Sequence, residues 1–349
     1  MNIKTIITGL FLMAAPVSMS AQSQPFQFFA HRASRFEFDE NTLPAFKACY
    51  DKGIRGFETD IRMAKDGQLV VNHDETFARL TACPNTVESM TSDEIRQLTT
   101  FQGNKVLFLD ELVDFLADKD NMYVEFEMKT TPVSSYPEDR LREYCDKLYK
   151  TVMAKKPEHS TYIFTSSNRD ALNMMRSLHP DADMLIIFSK PVCDETIQMA
   201  EAMGIKRIGC QMNGTTRSMV KKAKEAGLGV SLWPSRTPED IMLGVYLGAE
   251  YLCCDRAIEV KKFLDENNIK YSEPKHKGRK GHSDLVLSEL CIFIKISGDD
   301  DAKFFNRHKY YYPIFIRDNE TQKFVLEKVQ NTIIKSMKEK QERLLNAKK

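Results

Sequence analysis

From residue 26 to about residue 268, short apolar, β-branched runs alternate with longer segments whose apolar positions recur every three or four residues. The short runs are typical of buried strands, and the longer segments are typical of amphipathic helices. The predicted strands are FQFFAH, GFETDI, MYVEFEMK, TYIFTS, DMLIIFS, RIGCQM, GVSLWP and YLCCDR. Eight strand–helix units predict a TIM (β/α)₈ barrel, because alternating elements favour parallel strands with crossover helices. An open doubly wound sheet is the alternative, but no glycine-rich phosphate loop follows the first strand.

The segment IRMAKDGQLVVNHD predicts a small hairpin inserted after the second strand. Asp66-Gly67 is a favourable turn pair and lies between two β-like runs. The returning arm would bring His73 toward the carboxyl ends of the barrel strands. Helix starts are also readable, since Thr42 and Thr237 each precede a helical pattern and threonine caps helix N-termini.

The chain ends differ from this central pattern. Lys4 precedes an apolar run from Ile6 to Val17, which is followed by small residues as far as Ala21. This arrangement predicts a signal peptide over residues 1–21 and an exported protein, periplasmic or secreted. The apolar run is too short for a membrane span, which needs about 20 apolar residues.

Residues 22–270 are therefore assigned to the barrel and residues 271–349 to a linker and C-terminal appendage. The linker EPKHKGRKGHS is basic, and the appendage contains two apolar runs and a charged helical tail. The sequence assigns the appendage no role and predicts no oligomeric state.

Composition is that of an ordinary globular protein, with 42% hydrophobic residues, 28% charged residues and a net charge of +1. So small a net charge creates no long-range field that would gather nucleic acid, and we expect no nucleic-acid partner. The eight cysteines are scattered and show no zinc-ligand spacing. Most are expected to be buried thiols.

Acidic residues occur on alternate positions of two predicted strands. Glu58 and Asp60 are two residues apart in one strand, and Glu125, Glu127 and Lys129 repeat this spacing in the next. Side chains two residues apart point to the same face of a strand. Oxygen ligands suit Mg²⁺ or Ca²⁺. A structural network of salt bridges remains the alternative explanation for these charges.

Two histidines are predicted to reach the rim where these acids converge. His31 ends the first strand and His73 ends the hairpin arm. Imidazole exchanges protons near neutral pH, so the pair are candidate acid and base groups.

The run from AHRASRFEFDENTLPAF to GFETDIRMAKDGQLVVNHDETFARLT resembles the opening signature of the glycerophosphodiester phosphodiesterase family. That signature has a His-Arg pair, a Glu-Asn-Thr helix start, a Glu-x-Asp strand, an Asp-Gly turn and a His-Asp pair in this order. The segments FLDELVDFL, EMK, VSLWP and GAEYLCCDR are also similar to family segments. The resemblance covers about residues 28–264 and implies a TIM barrel.

Carried over by position, the resemblance assigns a role to eight residues. It implies the metal ligands Glu58, Asp60 and Glu127, the acid and base His31 and His73, and the substrate-binding residues Arg32, Lys129 and Trp233. The sequence departs from the family pattern at Ala33, Lys65, Glu125 and Pro234-Ser235-Arg236. No departure removes a group with an assigned role, although those at Glu125 and Arg236 concern the substrate pocket.

The expected activity is Ca²⁺- or Mg²⁺-dependent hydrolysis of a small glycerophosphodiester to glycerol 3-phosphate and an alcohol. The identity of the alcohol, the choice of metal, and which histidine is the acid remain open. Two alternatives are a phospholipase-type phosphodiesterase acting on lipid- or sugar-linked phosphates and a non-catalytic binding protein built on the same barrel.

Overall fold

The structure, a computed structural model, describes residues 26–267, 269 and 271, three further strands, and positions 331, 332 and 335. The predicted signal peptide and most of the linker and appendage lie outside the described residues.

Eight parallel strands close into a barrel, and one short strand pairs antiparallel with the end of the second barrel strand. The strands are β1 (Gln27–His31), β2 (Gly56–Met63), β3 (Leu69–Val71), β4 (Tyr123–Met128), β5 (Thr161–Ser166), β6 (Met184–Ile187), β7 (Arg207–Gln211), β8 (Gly229–Ser235) and β9 (Tyr251–Cys254). The barrel order is β1, β2, β4 to β9, with β9 pairing back onto β1. The predicted TIM barrel and its eight strands are confirmed.

Helices connect these strands and cover the barrel. They are α1 (Leu43–Asp51), α2 (Ala78–Thr81), α3 (Ser92–Gln97), α4 (Leu109–Leu116), α5 (Glu138–Ala154), α6 (Arg169–Leu178), α7 (Asp194–Ala202), α8 (Arg217–Glu225), α9 (Pro238–Leu247) and α10 (Ala257–Glu266), with 3₁₀ turns at Val87–Ser89 and Val133–Ser135. Thr42 and Thr237 cap α1 and α9 as predicted, because each side chain accepts a hydrogen bond from a backbone N–H in the first turn.

The predicted hairpin arm is present. Strand β3 pairs antiparallel with the end of β2, and Gly67 adopts a φ of +84° in the turn between them. A left-handed φ favours glycine, which explains the Asp-Gly pair. The insertion has a small core of its own, formed by Ala64, Val70, Phe77, Val87, Met90, Ile95, Val106 and Phe108. This core supports the arm from which His73 extends.

Alternate strand residues face the barrel interior and the surrounding helices. The inner cluster comprises Phe29, Tyr123, Ile163, Leu185 and Cys253, with Ile187, Trp233 and Tyr251 partly buried against it. Cys253 belongs to this inner cluster, whereas Cys254 belongs to the outer core. The two adjacent thiols therefore lie on opposite faces, and all seven cysteines in the described ranges are free.

The appendage contains a second, three-stranded sheet. Strands β10 (Leu285–Leu287) and β11 (Ile292–Ile296) are antiparallel, and β12 (Tyr312–Ile316) runs parallel to β11. Tyr271, the first residue of the predicted linker, packs edge-on against Phe28 with ring centroids 5.2 Å apart. None of the helices within the described ranges is long and apolar enough to cross a membrane.

Candidate active site

Three carboxylates converge at the carboxyl ends of β2 and β4. Glu58, Asp60 and Glu127 each offer an oxygen, and these three oxygens lie within 4.8 Å of one another. The parallel register explains the cluster, since Asp60 is paired with Glu127 across the two strands. Strand alternation then directs Glu58 to the same face as Asp60.

Cations partly neutralise this cluster. Lys129 Nζ lies 2.8 Å from Glu127 Oε1 and 3.2 Å from Asp60 Oδ1, and Arg32 Nε lies 3.4 Å from Asp60 Oδ2. Burial alone would raise the pKa of Asp60, but Lys129, His73 and Arg32 hold that pKa well below its usual value. Asp60 is therefore ionised although its side chain is fully buried.

Glu58 is less well compensated. Burial, together with repulsion from Asp60 and Glu127, raises the pKa of Glu58 well above its usual value. Its Oε1 atom is buried and has no hydrogen-bond partner. A buried carboxylate oxygen without a partner is costly, and a divalent cation would remove that cost. The donor set, three carboxylates with one orphaned oxygen, therefore fits a hard cation such as Mg²⁺ or Ca²⁺.

His31 lies beside this cluster and is held by a buried acid. Its Nδ1 is 2.5 Å from Asp255 Oδ1, and its Nε2 is 3.7 Å from Glu58 Oε2. Burial and the neighbouring Arg32 guanidinium lower the pKa of His31 below 6.5, although Asp255 opposes the shift. The hydrogen bond to Asp255 leaves Nε2 directed toward the carboxylates, where proton transfer can occur.

The turn after His31 brings Arg32 back to the cluster. Arg32, Ala33 and Ser34 all have positive φ values, of 50°, 58° and 67°. Such a conformation is strained for residues with a Cβ, and it is found most often at functional sites. The Arg32 backbone N–H donates to Glu58 Oε2 at 3.1 Å.

His73 is placed by the hairpin arm and has its own acidic partner. Its Nδ1 lies 2.7 Å from Asp74 Oδ1, and Arg79 Nε lies 2.6 Å from Asp74 Oδ2. Burial lowers the pKa of His73, although the Asp60 carboxylate opposes this shift. Arg62 donates to the His73 carbonyl from Nε and Nη2, which fixes the backbone at this position.

A buried carboxylate joins the two sides of the site. Glu40 accepts hydrogen bonds from Arg79 at 2.7 and 2.8 Å and from Arg32 at 3.2 Å. Arg79 also holds Asp74, the partner of His73. The chain from His73 to Arg32 therefore consists of alternating acids and cations.

Strands β5 to β8 form the other half of the barrel mouth. The last residue of each strand that points into the barrel is uncharged. Thr165, Ile187, Gln211 and Trp233 occupy those positions in β5, β6, β7 and β8. The Trp233 side chain is partly exposed, but its Nε1 atom is buried and has no hydrogen-bond partner. Thr165 Oγ1 is also buried without a hydrogen-bond partner. Both atoms could hydrogen-bond to a bound polar group.

Glu125 lies two residues before Glu127 on β4, level with Glu58 of β2, but outside the cluster of three acids. The Tyr123 hydroxyl donates to Glu125 Oε1 at 2.5 Å. Burial raises the pKa of Glu125 to about 7. The sequence pattern grouped Glu125 with Glu58, Asp60 and Glu127, and the cluster contains the last three residues but not Glu125.

All eight residues assigned a role from the sequence lie at this mouth or on the strands that form it. Sequence reasoning missed Asp255, Asp74, Glu40, Asn41 and Arg79, of which Asn41 donates to Asp60 Oδ2 at 2.8 Å. Signals existed for most of them. Glu40 and Asn41 belong to the Glu-Asn-Thr helix start, Asp74 belongs to the His-Asp pair, and Asp255 lies one residue before the end of the predicted strand YLCCDR.

Comparison with known proteins agrees with this geometry. The model of the glycerophosphoryl diester phosphodiesterase family matches residues 31–259. A glycerophosphodiester phosphodiesterase of Caldanaerobacter subterraneus is 28% identical over 233 residues, which cover 65% of this chain and 92% of that protein.

Solved structures share the fold. An Oleispira antarctica phosphodiesterase, solved with the product sn-glycerol-3-phosphate, superposes with a TM-score of 0.63 at 20% identity, covering 70% of this chain and 99% of the other. A glycerophosphodiester phosphodiesterase of Parabacteroides distasonis gives a TM-score of 0.56 at 17% identity, with coverages of 70% and 99%. Since the family model spans about two thirds of the 349 residues, this chain belongs to the glycerophosphoryl diester phosphodiesterase family.

Proposed function

We propose that the protein hydrolyses glycerophosphodiesters to glycerol 3-phosphate and an alcohol, with a divalent cation and with His31 and His73 as acid and base. The observation that carries this proposal is the convergence of three carboxylates, one with an orphaned buried oxygen, beside a histidine held by an acid. The related Oleispira enzyme was solved with sn-glycerol-3-phosphate, which supports the proposed product.

Glu58, Asp60 and Glu127 would hold the cation, which as a Lewis acid would polarise a phosphoryl oxygen and lower the pKa of a bound hydroxyl. Arg32 and Lys129 lie against the same carboxylates and offset negative charge on the phosphoryl group. Ca²⁺ and Mg²⁺ both accept such oxygen ligands.

His31 and His73 perform the proton transfers. Each imidazole donates its Nδ1 proton to a carboxylate, Asp255 or Asp74, which leaves the Nε2 atom free to accept or donate a proton. One histidine accepts a proton from the attacking oxygen, and the other donates a proton to the departing alcohol oxygen. The attacking oxygen is either that of a water molecule, which gives glycerol 3-phosphate directly, or that of the neighbouring glycerol hydroxyl, which gives a cyclic phosphate that a water molecule then opens. Their positions, after β1 and on the hairpin arm, allow them to approach the phosphate from different elements.

Metal binding can be measured apart from turnover. Titration calorimetry with Ca²⁺ and with Mg²⁺ on chelator-treated protein should detect binding to the wild type and at least roughly tenfold weaker binding to Glu127→Gln. Glu138→Gln, at an exposed position of α5, is the matched control and should bind like the wild type. Equal affinity in all three proteins would contradict the metal assignment.

The histidines are tested by kinetics. His31→Ala and His73→Ala should each lower kcat on glycerophosphoethanolamine by roughly a hundredfold or more while melting close to the wild type. His159→Ala provides the control, because this histidine pairs with Asp120 at an exposed position away from the barrel mouth. A folded His31 or His73 variant with near wild-type activity would refute its catalytic role.

A phospholipase-type activity is the competing enzymatic function. Phe36, at the mouth, is 49% exposed and Phe101, in the insertion, is 70% exposed, and exposed aromatic residues can contact a lipid surface. Release of water-soluble glycerol 3-phosphate from glycerophosphocholine, compared with hydrolysis of phosphatidylcholine vesicles, separates the two activities. We expect turnover of the soluble diester only.

Export remains part of the proposal. The N-terminal apolar run supports a signal peptide over residues 1–21 and a periplasmic or secreted enzyme. Cell fractionation with N-terminal sequencing of the recovered protein would test the location and the cleavage after residue 21.

A further inference from the structure

An arginine cluster lies on the side of the mouth formed by β1, β8 and β9. Arg35 follows β1, Arg236 follows β8 and Arg256 follows β9. Arg35 Nε lies 3.0 Å from Asp255 Oδ1, and Arg236 Nε lies 3.9 Å from Asp255 Oδ2. Asp255 is also the acid that binds His31. Two guanidinium groups therefore share one carboxylate that already holds an imidazole.

The third arginine does not compete for Asp255. Arg256 pairs with Glu259 at 3.2 Å on the first turn of α10. Arg35 and Arg236, in contrast, have no acidic partner other than Asp255 among the described residues.

Two further carboxylates lie close to the cluster but bind backbone groups. Glu37 accepts hydrogen bonds from the N–H groups of Ile258 and Glu259 at 2.9 Å, at the start of α10. Asp240 accepts one from the Arg236 N–H at 2.7 Å, at the start of α9. Both acids bond to the start of a helix, and neither forms an ion pair with Arg35 or Arg236.

The His73 side of the mouth is rich in acids. Its cations are Arg32, Arg79 and Lys129, and its acids are Glu40, Glu58, Asp60, Asp74 and Glu127. Acids outnumber cations there by two, which suits a divalent cation. On the His31 side, Asp255 is the only carboxylate among the described residues within 4 Å of the Arg35 and Arg236 guanidinium groups, and it also binds His31.

Both arginines are placed to receive a ligand. The Arg35 guanidinium lies 4.6 Å from the centre of the Phe36 ring, a cation–π contact that restricts its orientation. Arg236 is 60% exposed, so its guanidinium reaches solvent at the mouth. Guanidinium groups bind carboxylates and phosphates through paired hydrogen bonds.

We propose that Arg35 and Arg236 form an anion subsite that selects glycerophosphodiesters whose leaving alcohol carries a second negative charge, on a phosphate or a carboxylate group. This inference rests on the proposed diesterase function. The glycerol arm of the substrate bears only hydroxyl groups, so a second charge belongs to the alcohol arm. A cationic alcohol such as choline is disfavoured at the same place.

Matched substrate pairs test this selectivity. Glycerophosphoinositol and glycerophosphoinositol 4-phosphate differ by one phosphate, and glycerophosphoethanolamine and glycerophosphoserine differ by one carboxylate. The ratio of kcat/KM within each pair measures the effect of the added charge. We expect the wild type to favour the more anionic member of at least one pair, and the pair concerned identifies the anion as phosphate or carboxylate.

Replacement of Arg236 should change these ratios rather than activity in general. Arg236→Gln should reduce the preference roughly three- to tenfold, as expected for one charge pair near the surface. Arg236→Lys should retain most of the preference, and Arg236→Glu should raise the relative rate on glycerophosphocholine. Arg142→Gln, at an exposed position on α5, is the control and should leave all ratios unchanged.

The outcomes separate this inference from the proposed function. Hydrolysis of the diesters with ratios that are equal in the wild type, or unaffected by Arg236→Gln, overturns the anion subsite alone. Equal losses on both members of each pair would show that Arg236 only supports Asp255 and His31, and would also overturn it. No hydrolysis of any diester by the wild type would overturn both proposals.

Discussion

At the scale of single residues, each candidate catalytic histidine depends on an acid that holds its Nδ1 atom. His31 depends on Asp255, which lies 224 residues further along the chain and is fully buried. His73 depends on its neighbour Asp74, which is about a third exposed. The buried hydrogen bond should be the more important of the two, because no water can replace the lost acceptor.

Replacing Asp255 by Asn should therefore impair catalysis more than it impairs folding. An amide cannot stabilise a positively charged imidazole, and it can select the wrong tautomer of His31. We expect Asp255→Asn to lower kcat by about a hundredfold, with a smaller loss for Asp74→Asn. Steady-state kinetics beside circular dichroism measures this effect. Asp194→Asn, at an exposed position on α7, is the control, and a larger loss in Asp74→Asn would contradict the ranking.

Glu40 should make stability depend on acid pH. Burial alone would raise the pKa of Glu40, but hydrogen bonds from Arg79 and Arg32 hold the pKa below its usual value of 4.5. A carboxyl group whose pKa is lowered on folding stabilises the protein above its unfolded pKa, and this contribution disappears as the pH falls through the folded pKa. The interaction should therefore be fully present at pH 7 and weaken below about pH 4.

Glu40→Gln should lower the free energy of unfolding by about 2 kcal/mol at pH 7, because two guanidinium groups lose a charged acceptor. The difference in the free energy of unfolding between Glu40→Gln and the wild type should become smaller as the pH falls below about 4. Thermal unfolding between pH 3.5 and 7.5 measures this trend, with Glu138→Gln as an exposed control. A difference that stays constant across the range would contradict the explanation.

At the scale of elements, the site depends on close contact between β1 and β2, which carry His31 and Glu58. Gly56, the first residue of β2, is buried, and a Cβ built there would lie 2.6 Å from Phe29 Cβ and 3.3 Å from Phe29 Cα. Both atoms belong to Phe29 on the neighbouring strand β1, one in its backbone and one directly attached to it. They cannot move without shifting that strand.

Gly56→Ala should accordingly destabilise the barrel by about 1–3 kcal/mol, since overpacking forces backbone shifts. Gly229, the first residue of β8, provides a matched control because a Cβ built there meets its nearest atom at 3.6 Å, an ordinary contact. Chemical denaturation of Gly56→Ala and Gly229→Ala measures the difference. Equal stability of the two variants would show that the strands can separate without cost.

Elements were also the features most completely predicted from the sequence. The period of apolar residues predicts all eight barrel strands, and the Asp-Gly turn predicts the arm formed by β3, because both signals are local. Strand alternation places Glu58, Asp60 and Glu127 on one face, but alternation alone also admits Glu125, which the closed barrel leaves outside the ligand cluster and bonded to the Tyr123 hydroxyl. Asp255 was missed for a related reason. It meets His31 only because β9 pairs with β1 when the barrel closes.

At the scale of the whole molecule, the barrel accounts for the matched part of the chain, and the appendage lies beyond it. The family match ends at residue 259, and the Caldanaerobacter relative is covered over 92% of its length by 65% of this chain. The segment that follows α10 nevertheless contacts the barrel, because Ile269 is buried and Tyr271 packs on Phe28.

The position of a truncation should therefore decide its effect. A chain that ends after Tyr271 keeps the contact with Phe28 and the hydrogen bond from the tyrosine hydroxyl to Asp265 Oδ1 at 2.9 Å. A chain that ends after Asn268 loses both of these Tyr271 contacts and the buried Ile269 side chain, whose burial stabilises the fold by about 2 kcal/mol. We expect the longer truncated chain to melt close to the full-length protein and to retain its kcat/KM, and the shorter one to melt several degrees lower. Loss of activity in the longer truncated chain would show that the appendage contributes to catalysis.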